Sequence, residues 1–166
     1  MGVKLKGGFD SFYKAFDEAE RIMAEEIQLG LSHLGEECVK RIRERTIEEG
    51  SWRDQTGNLR SSIGYAVMDH GYKAISSAFG TVVGPNGDGN QGAEIGKRYV
   101  NELASQYAEV YALVVVAGMD YAKPLEAKGI DVLSGTQLWA EAEVEKYMKV
   151  YVGRAERRIK ALLKKI

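Results

Sequence analysis

Val110-Tyr111-Ala112-Leu113-Val114-Val115-Val116-Ala117 is apolar at nearly every position and rich in β-branched residues. A strand with one wet face alternates polar and apolar residues, whereas a run without alternation points to a strand covered on both faces. The stretch therefore predicts a central strand, ended by Gly118, with helices on either side to cover it. The chain supplies those helices. Phe9, Phe12, Phe16, Met23, Ile27, Leu31, Leu34, Cys38 and Ile42 recur mostly at steps of three and four, an apolar stripe that predicts a helical arm over about 9–48. Gly30 and Gly35 weaken its middle, so the arm is one long bent helix or two joined there. At the other end Leu138, Ala142, Met148, Val152, Ala155, Ile159, Leu162 and Ile166 share a face and predict a helix over about 136–166.

Between the arms, Ile63, Tyr65 and Val67 alternate with small residues, and Asp69-His70-Gly71 offers a turn. Ile75, Phe79, Thr81 and Val83 continue at period two, which predicts a hairpin running to Val83. Gly84-Pro85-Asn86-Gly87-Asp88-Gly89-Asn90-Gln91-Gly92 reads as a mobile loop. Ile95, Tyr99, Leu103 and Tyr107 predict a helix over Glu94–Tyr107, and Asp120–Lys128 a short helical turn. The order helix, hairpin, helix, strand, helix makes one α+β domain over 1–166. Its core of about 58–135 is a small, mainly antiparallel sheet of three to four strands, with the long N-terminal and C-terminal helices packed on it.

Composition narrows the function. The 166 residues carry a formal net charge of −1, so no global field draws the chain to nucleic acid or an anionic membrane. No apolar run approaches the roughly 20 residues of a membrane helix, and Met1–Lys6 lacks the apolar segment of a signal peptide. One cysteine, Cys38, forms no internal disulfide and sits on the apolar stripe, where it acts as a small hydrophobe. His33 and His70 are the only histidines. His33 lies five residues from Cys38, a poor spacing for a shared helical face. Carboxylate doublets such as Glu25-Glu26 and Glu36-Glu37 point apart on a helix and make poor acid–base pairs. Gly92-Ala93-Glu94-Ile95-Gly96-Lys97-Arg98 imitates a phosphate loop, but has three residues between its glycines where four are needed, and Arg98 where the magnesium-binding hydroxyl belongs. Asn86, Asp88 and Asn90 imitate a calcium loop with its glycine one place late and Lys97 in the position of the bidentate glutamate. These readings predict no catalytic, cofactor-binding or metal-binding residue.

Two segments are more specific. Thr56-Gly57-Asn58-Leu59-Arg60-Ser61-Ser62-Ile63 leads into the first strand. Gly118-Met119-Asp120-Tyr121-Ala122-Lys123-Pro124-Leu125-Glu126-Ala127-Lys128-Gly129 follows the apolar strand. In this order, after a long charged helix, they resemble a tail-component family of long-tailed, siphovirus-type bacteriophages. Its members show Thr-Gly-x-Leu-Arg-x-Ser-Ile and, later, a glycine, Tyr-Ala-x-x-x-Glu and a second glycine. The resemblance spans about residues 10–130. Ala127 replaces the aromatic that commonly follows the glutamate, and 85–107 reads as an insertion.

The resemblance implies a non-enzymatic virion protein of head–tail joining or tail completion, assembled in the bacterial cytoplasm. Its partners would be copies of itself, in a ring taken to be hexameric, and adjacent neck or tail proteins. The isolated subunit is expected to be a monomer. Thr56, Gly57, Leu59, Arg60, Gly118, Tyr121, Glu126 and Gly129 are then expected to specify the fold or subunit contacts. Arg60 is expected to pair with Glu126, and Tyr121 to share a helical face with Leu125. The basic end, including Arg157 and Arg158, is expected to face the acidic segment 10–26, within or between subunits. A DNA-binding accessory protein using that basic helix and an interaction module unrelated to phages are the competing readings.

Overall fold

The computed structural model describes residues 9–108 and 110–165. The chain is α+β. Helix α1 (Phe9–Glu44) leads through a turn and a short helix α2 (Asn58–Ser61) into strands β1 (Ile63–Asp69) and β2 (Tyr72–Ser76). Helix α3 (Asn90–Leu103) runs into a 3-10 turn at Ala104–Tyr107, followed by strand β3 (Tyr111–Ala117), helix α4 (Ala122–Ala127) and helix α5 (Ser134–Leu163). The three strands form an antiparallel sheet of order β2-β1-β3.

The central strand is thus β1, and the apolar stretch 111–117 lies at an edge. A continuous apolar run reports cover on both faces, and that expectation holds. Tyr111, Leu113 and Val115 pack toward α1 with Tyr65 and Val67, while Val114 and Val116 pack with Ala66, Met68 and Val100 of α3. Such a run carries no information about neighbours along the hydrogen-bonding direction.

The hairpin is shorter than its periodicity predicts. His70 (φ 47°) and Gly71 (φ 86°) turn it, both with the positive φ that a type I′ turn demands. After Ser76 the chain leaves the sheet, because Phe79 folds back against Gly64 and Gly96 to help close the α3 face. The segment 84–92 carries backbone hydrogen bonds of its own. Gly84 donates to the Gly87 carbonyl at 2.9 Å and Asn86 to the Gln55 carbonyl at 2.7 Å. Asp88 accepts from the Asn90 amide at 3.0 Å and so starts α3 four residues earlier than predicted.

Helix α1 is one unbroken helix of 36 residues that stops at Glu44, short of the expected 48. Its two mid-helix glycines are contact points. A Cβ on Gly35 would lie 2.5 Å from the Tyr65 ring, and one on Gly30 would overlap Met148 of α5. Their absence lets α1 approach the sheet on one side and α5 on another. Tyr65 is then pinned by Ser32 and Glu36, each 2.8 Å from its hydroxyl. The antiparallel contact between α1 and α5 is laid out by Arg41 over the Trp139 ring at 4.4 Å, His33 against Tyr147 at 5.1 Å, and Arg158 on Glu25 and Glu26 at 2.9 Å each. On α5, Leu138 and Ala142 are exposed despite their place in the predicted stripe, and Thr136 and Ala155 are the buried positions.

The apolar stripe of α1 is buried only from Ala15 onward, with Ile22, Leu31, Leu34, Cys38 and Ile42 covered. Phe9, Phe12 and Phe16 are exposed. Among the described residues no helix is long and apolar enough to cross a membrane.

Candidate functional site

The two specific segments, more than fifty residues apart, meet where α1 ends and α5 begins. The Gly118 amide donates to the Ser62 carbonyl at 3.3 Å and its hydroxyl at 3.1 Å. Burial pushes the Tyr121 hydroxyl above its ordinary pKa, partly offset by a hydrogen bond with Thr56. Leu59 is 2% exposed within the core on the α1 face of the sheet. Gly57 stands at φ 74°, where a Cβ would overlap the Val82 carbonyl, so only glycine suits this bend before α2. Gly129, at φ 79°, ends α4. Thr56, Gly57, Leu59, Arg60, Gly118, Tyr121, Glu126 and Gly129 therefore belong to one neighbourhood. Arg157 and Arg158 lie at the far end of α5.

The expected Arg60–Glu126 pair is not formed. Arg60 Nε instead donates to Asp54, and its Nη1 to the Arg43 carbonyl at the end of α1. The guanidinium also lies 4.8 Å from the Trp52 ring centre. Glu126 faces the start of α5. Its Oε1 accepts from the Val132 amide at 3.1 Å and the Ser134 amide at 3.0 Å, and also from Leu133; its Oε2 accepts from the Ser134 hydroxyl at 2.8 Å. Burial works to raise its pKa, but these donors, led by the Leu133 amide, outweigh it and hold the carboxyl below its ordinary value. The physical reason for the correction is the helix dipole. A cation is best used at the C-terminal end of one helix and an anion at the N-terminal end of the next.

Sequence reasoning missed the residues that tie these ends together. Arg45 makes an ion pair with Asp131 at 2.7 Å and donates to the Thr136 hydroxyl at 2.7 Å. Asp131 also accepts from the Gly135 amide at 3.0 Å. Arg43 donates to the Ile63 carbonyl at 2.7 Å, and burial lowers its pKa. An Asp four residues before a helical glycine is the one local signal that pointed this way.

Beside this hub an apolar cleft of about 540 Å³ opens along the outer edge of β3. Leu31, Leu34 and Cys38 of α1, Leu113 and Val115 of β3, and Val144 of α5 line it. It forms because α5 rests on α1 and leaves a hollow between itself and β3. Cys38 is 1% exposed, and burial pushes its thiol up to about 11. It is poorly suited to act as a thiolate near neutral pH. His33 is turned away toward Tyr147 and Tyr151, its Nδ1 3.2 Å from the Tyr151 hydroxyl. Among the described residues no three His, Cys, Asp or Glu side chains group as metal ligands.

The predicted approach of the two termini is present within the chain for Arg158, which forks between Glu25 and Glu26. Arg157 is exposed. No protein-family model, no curated protein and no solved structure matches the chain.

Proposed function

We propose that this chain is a structural subunit of a long-tailed bacteriophage, acting in head–tail joining or tail completion through self-assembly and docking rather than catalysis. The observation that carries the reading is the hub. The residues matching the phage tail-component pattern come from two distant segments, yet they converge on one place. There their charged groups serve helix ends and the backbone. Arg60 and Glu126 are engaged at helix ends, on the Arg43 carbonyl and on the amides that open α5. Such residues specify a fold, which is what a recurring pattern in a structural subunit encodes.

The rest of the molecule suits an assembly role. An exposed aromatic helix tip and an apolar cleft at a sheet edge are contact surfaces without a partner among the described residues. The DNA-binding alternative is weakened because Arg158 is engaged by Glu25 and Glu26. The test is electron microscopy of the purified protein mixed with tail tubes and with neck complexes. Added density at a tube end or neck is expected. Absence of binding to either, together with salt-sensitive retention on DNA, would overturn the reading in favour of the nucleic-acid alternative.

A further inference from the structure

Gly84-Pro85-Asn86-Gly87 folds into a turn closed by the Gly84 amide on the Gly87 carbonyl at 2.9 Å, with Pro85 presetting its bend. Asn86 and Gly87 are both exposed. The Asn86 backbone amide is anchored on the Gln55 carbonyl at 2.7 Å. Its carboxamide donates to Gln55 Oε1 at 3.3 Å, a long bond between two exposed side chains. We propose that Asn86-Gly87 is a modification site, at which the folded chain deamidates itself through a cyclic imide. The Gly87 nitrogen attacks Asn86 Cγ and gives up its proton. The Cγ–Nδ2 bond breaks, and ammonia leaves with that proton. Water then opens the imide at one of its two carbonyls. Opening at Cγ leaves aspartate, and opening at the main-chain carbonyl leaves isoaspartate, whose backbone runs through the former side chain. One water enters, one ammonia departs, and nothing is oxidised or reduced. The inference is independent of the role proposed above.

The chain carries its own controls. Gly87 has no Cβ to obstruct the approach of its nitrogen. Asn58, Asn90 and Asn101 precede Leu59, Gln91 and Glu102, and each lies in a helix, α2 or α3, whose backbone torsions are fixed. Asp88 also precedes a glycine, but a carboxylate oxygen is a poor leaving group. Asp88 is moreover held by the Asn90 amide at 3.0 Å, and Gly89 is buried. Conversion at Asn86 adds a negative charge and removes the Nδ2 donor to Gln55. Isoaspartate also lengthens the backbone between the Gln55 anchor and Gly87, which sits against the Thr56 carbonyl. The change therefore loosens the turn from the 55–57 bend that leads into α2, and it accumulates with the age of the chain.

Incubation of the purified, folded chain in mildly alkaline buffer, followed by peptide mass spectrometry, tests the site. Asn86 is expected to convert well ahead of Asn58, Asn90 and Asn101, with isoaspartate outnumbering aspartate. The rate should rise with hydroxide, because the attacking nitrogen must lose its proton. Gly87→Ala should slow conversion several-fold. A Cβ at position 87 would press on the Thr56 carbonyl at 2.9 Å, so if that variant does not fold, the product from wild type decides. Isoaspartate arises from the imide and not from direct hydrolysis of the carboxamide. Conversion of Asn86 no faster than the other three asparagines, or conversion to aspartate alone, would overturn the proposal. The isoaspartyl fraction, separated by anion exchange, should unfold at a lower Tm than the unmodified chain. An equal Tm would overturn the loosening of the 55–57 bend.

Discussion

The two ends of the α1–α5 pair are built on opposite plans. At the root, where α1 stops and α5 starts, charged side chains are drawn inward and used on the helix ends: Arg60 on the Arg43 carbonyl, Glu126 on three amides, Arg45 on the Asp131 carbonyl and the Thr136 hydroxyl. At the tip, aromatic rings face outward and the helices are joined by the Arg158 fork to Glu25 and Glu26. The root spends its polar groups on conformation and leaves little for a partner. The tip contributes little to the fold and leaves its apolar surface available. The molecule thus divides into a base that holds its shape and an end that leaves apolar surface open.

Arg60→Ala should damage the root most. The Arg60 and Asp54 side chains are 14% and 18% exposed, and removing one member of a largely buried pair costs about 3–5 kcal/mol. Urea denaturation measures this. A double-mutant cycle should show coupling between Arg60 and Asp54 and none between Arg60 and Glu126. Gly57→Ala comes next, at about 3 kcal/mol from the left-handed backbone and the overlap with Val82 combined; a matching fall in Tm checks it.

Glu126→Ala should cost about 2 kcal/mol, as loss of a charged helix cap does. The native carboxyl is held below its ordinary 4.5. Its contribution is thus fully present above that pH and is lost as pH falls through the lowered native value. The stability gap between wild type and Glu126→Gln should therefore close on acidification, and a constant gap would show that the cap is not electrostatic. At the tip, Arg158→Glu should lower Tm less than any of the three root substitutions. The arginine is 42% exposed, which screens the pair, but the buried Glu26 is left unpaired. Arg157→Glu and Phe12→Asp should each fall within about 0.5 kcal/mol of wild type. A large loss of thermal stability from Phe12→Asp would break the contrast between root and tip.

How far the sequence reached follows from what each signal measures. Periodicity located the long helices α1, α3 and α5 but not the short α2, and it says only that residues share a face. Whether that face is covered depends on where the partner helix ends, so Phe12 and Phe16 belong to the stripe and stand in solvent. The apolar run at 111–117 announced two covered faces and was silent on its own open edge. Opposite charges in the two motif segments suggested that Arg60 and Glu126 attract each other. Both instead answer the ends of two helices, and Asp54, six residues from Arg60, needed the three-dimensional bend at Gly57 to become its partner. Arg45 had no marking in the sequence beyond its charge, and Asp131 only its place four residues before Gly135.

The pairing of α1 with α5 also sets a schedule for biosynthesis. Helix α1 leaves the ribosome before α5 can cover Gly30 and Glu26, and some ninety residues separate Glu44 from Ser134. At roughly 5–20 residues per second the interval is about 5–20 s. During it a nascent amphipathic rod carries its apolar face bare, and the chain is then most open to chaperone capture or premature meeting with another copy. A truncation that removes α5 should prolong that window indefinitely.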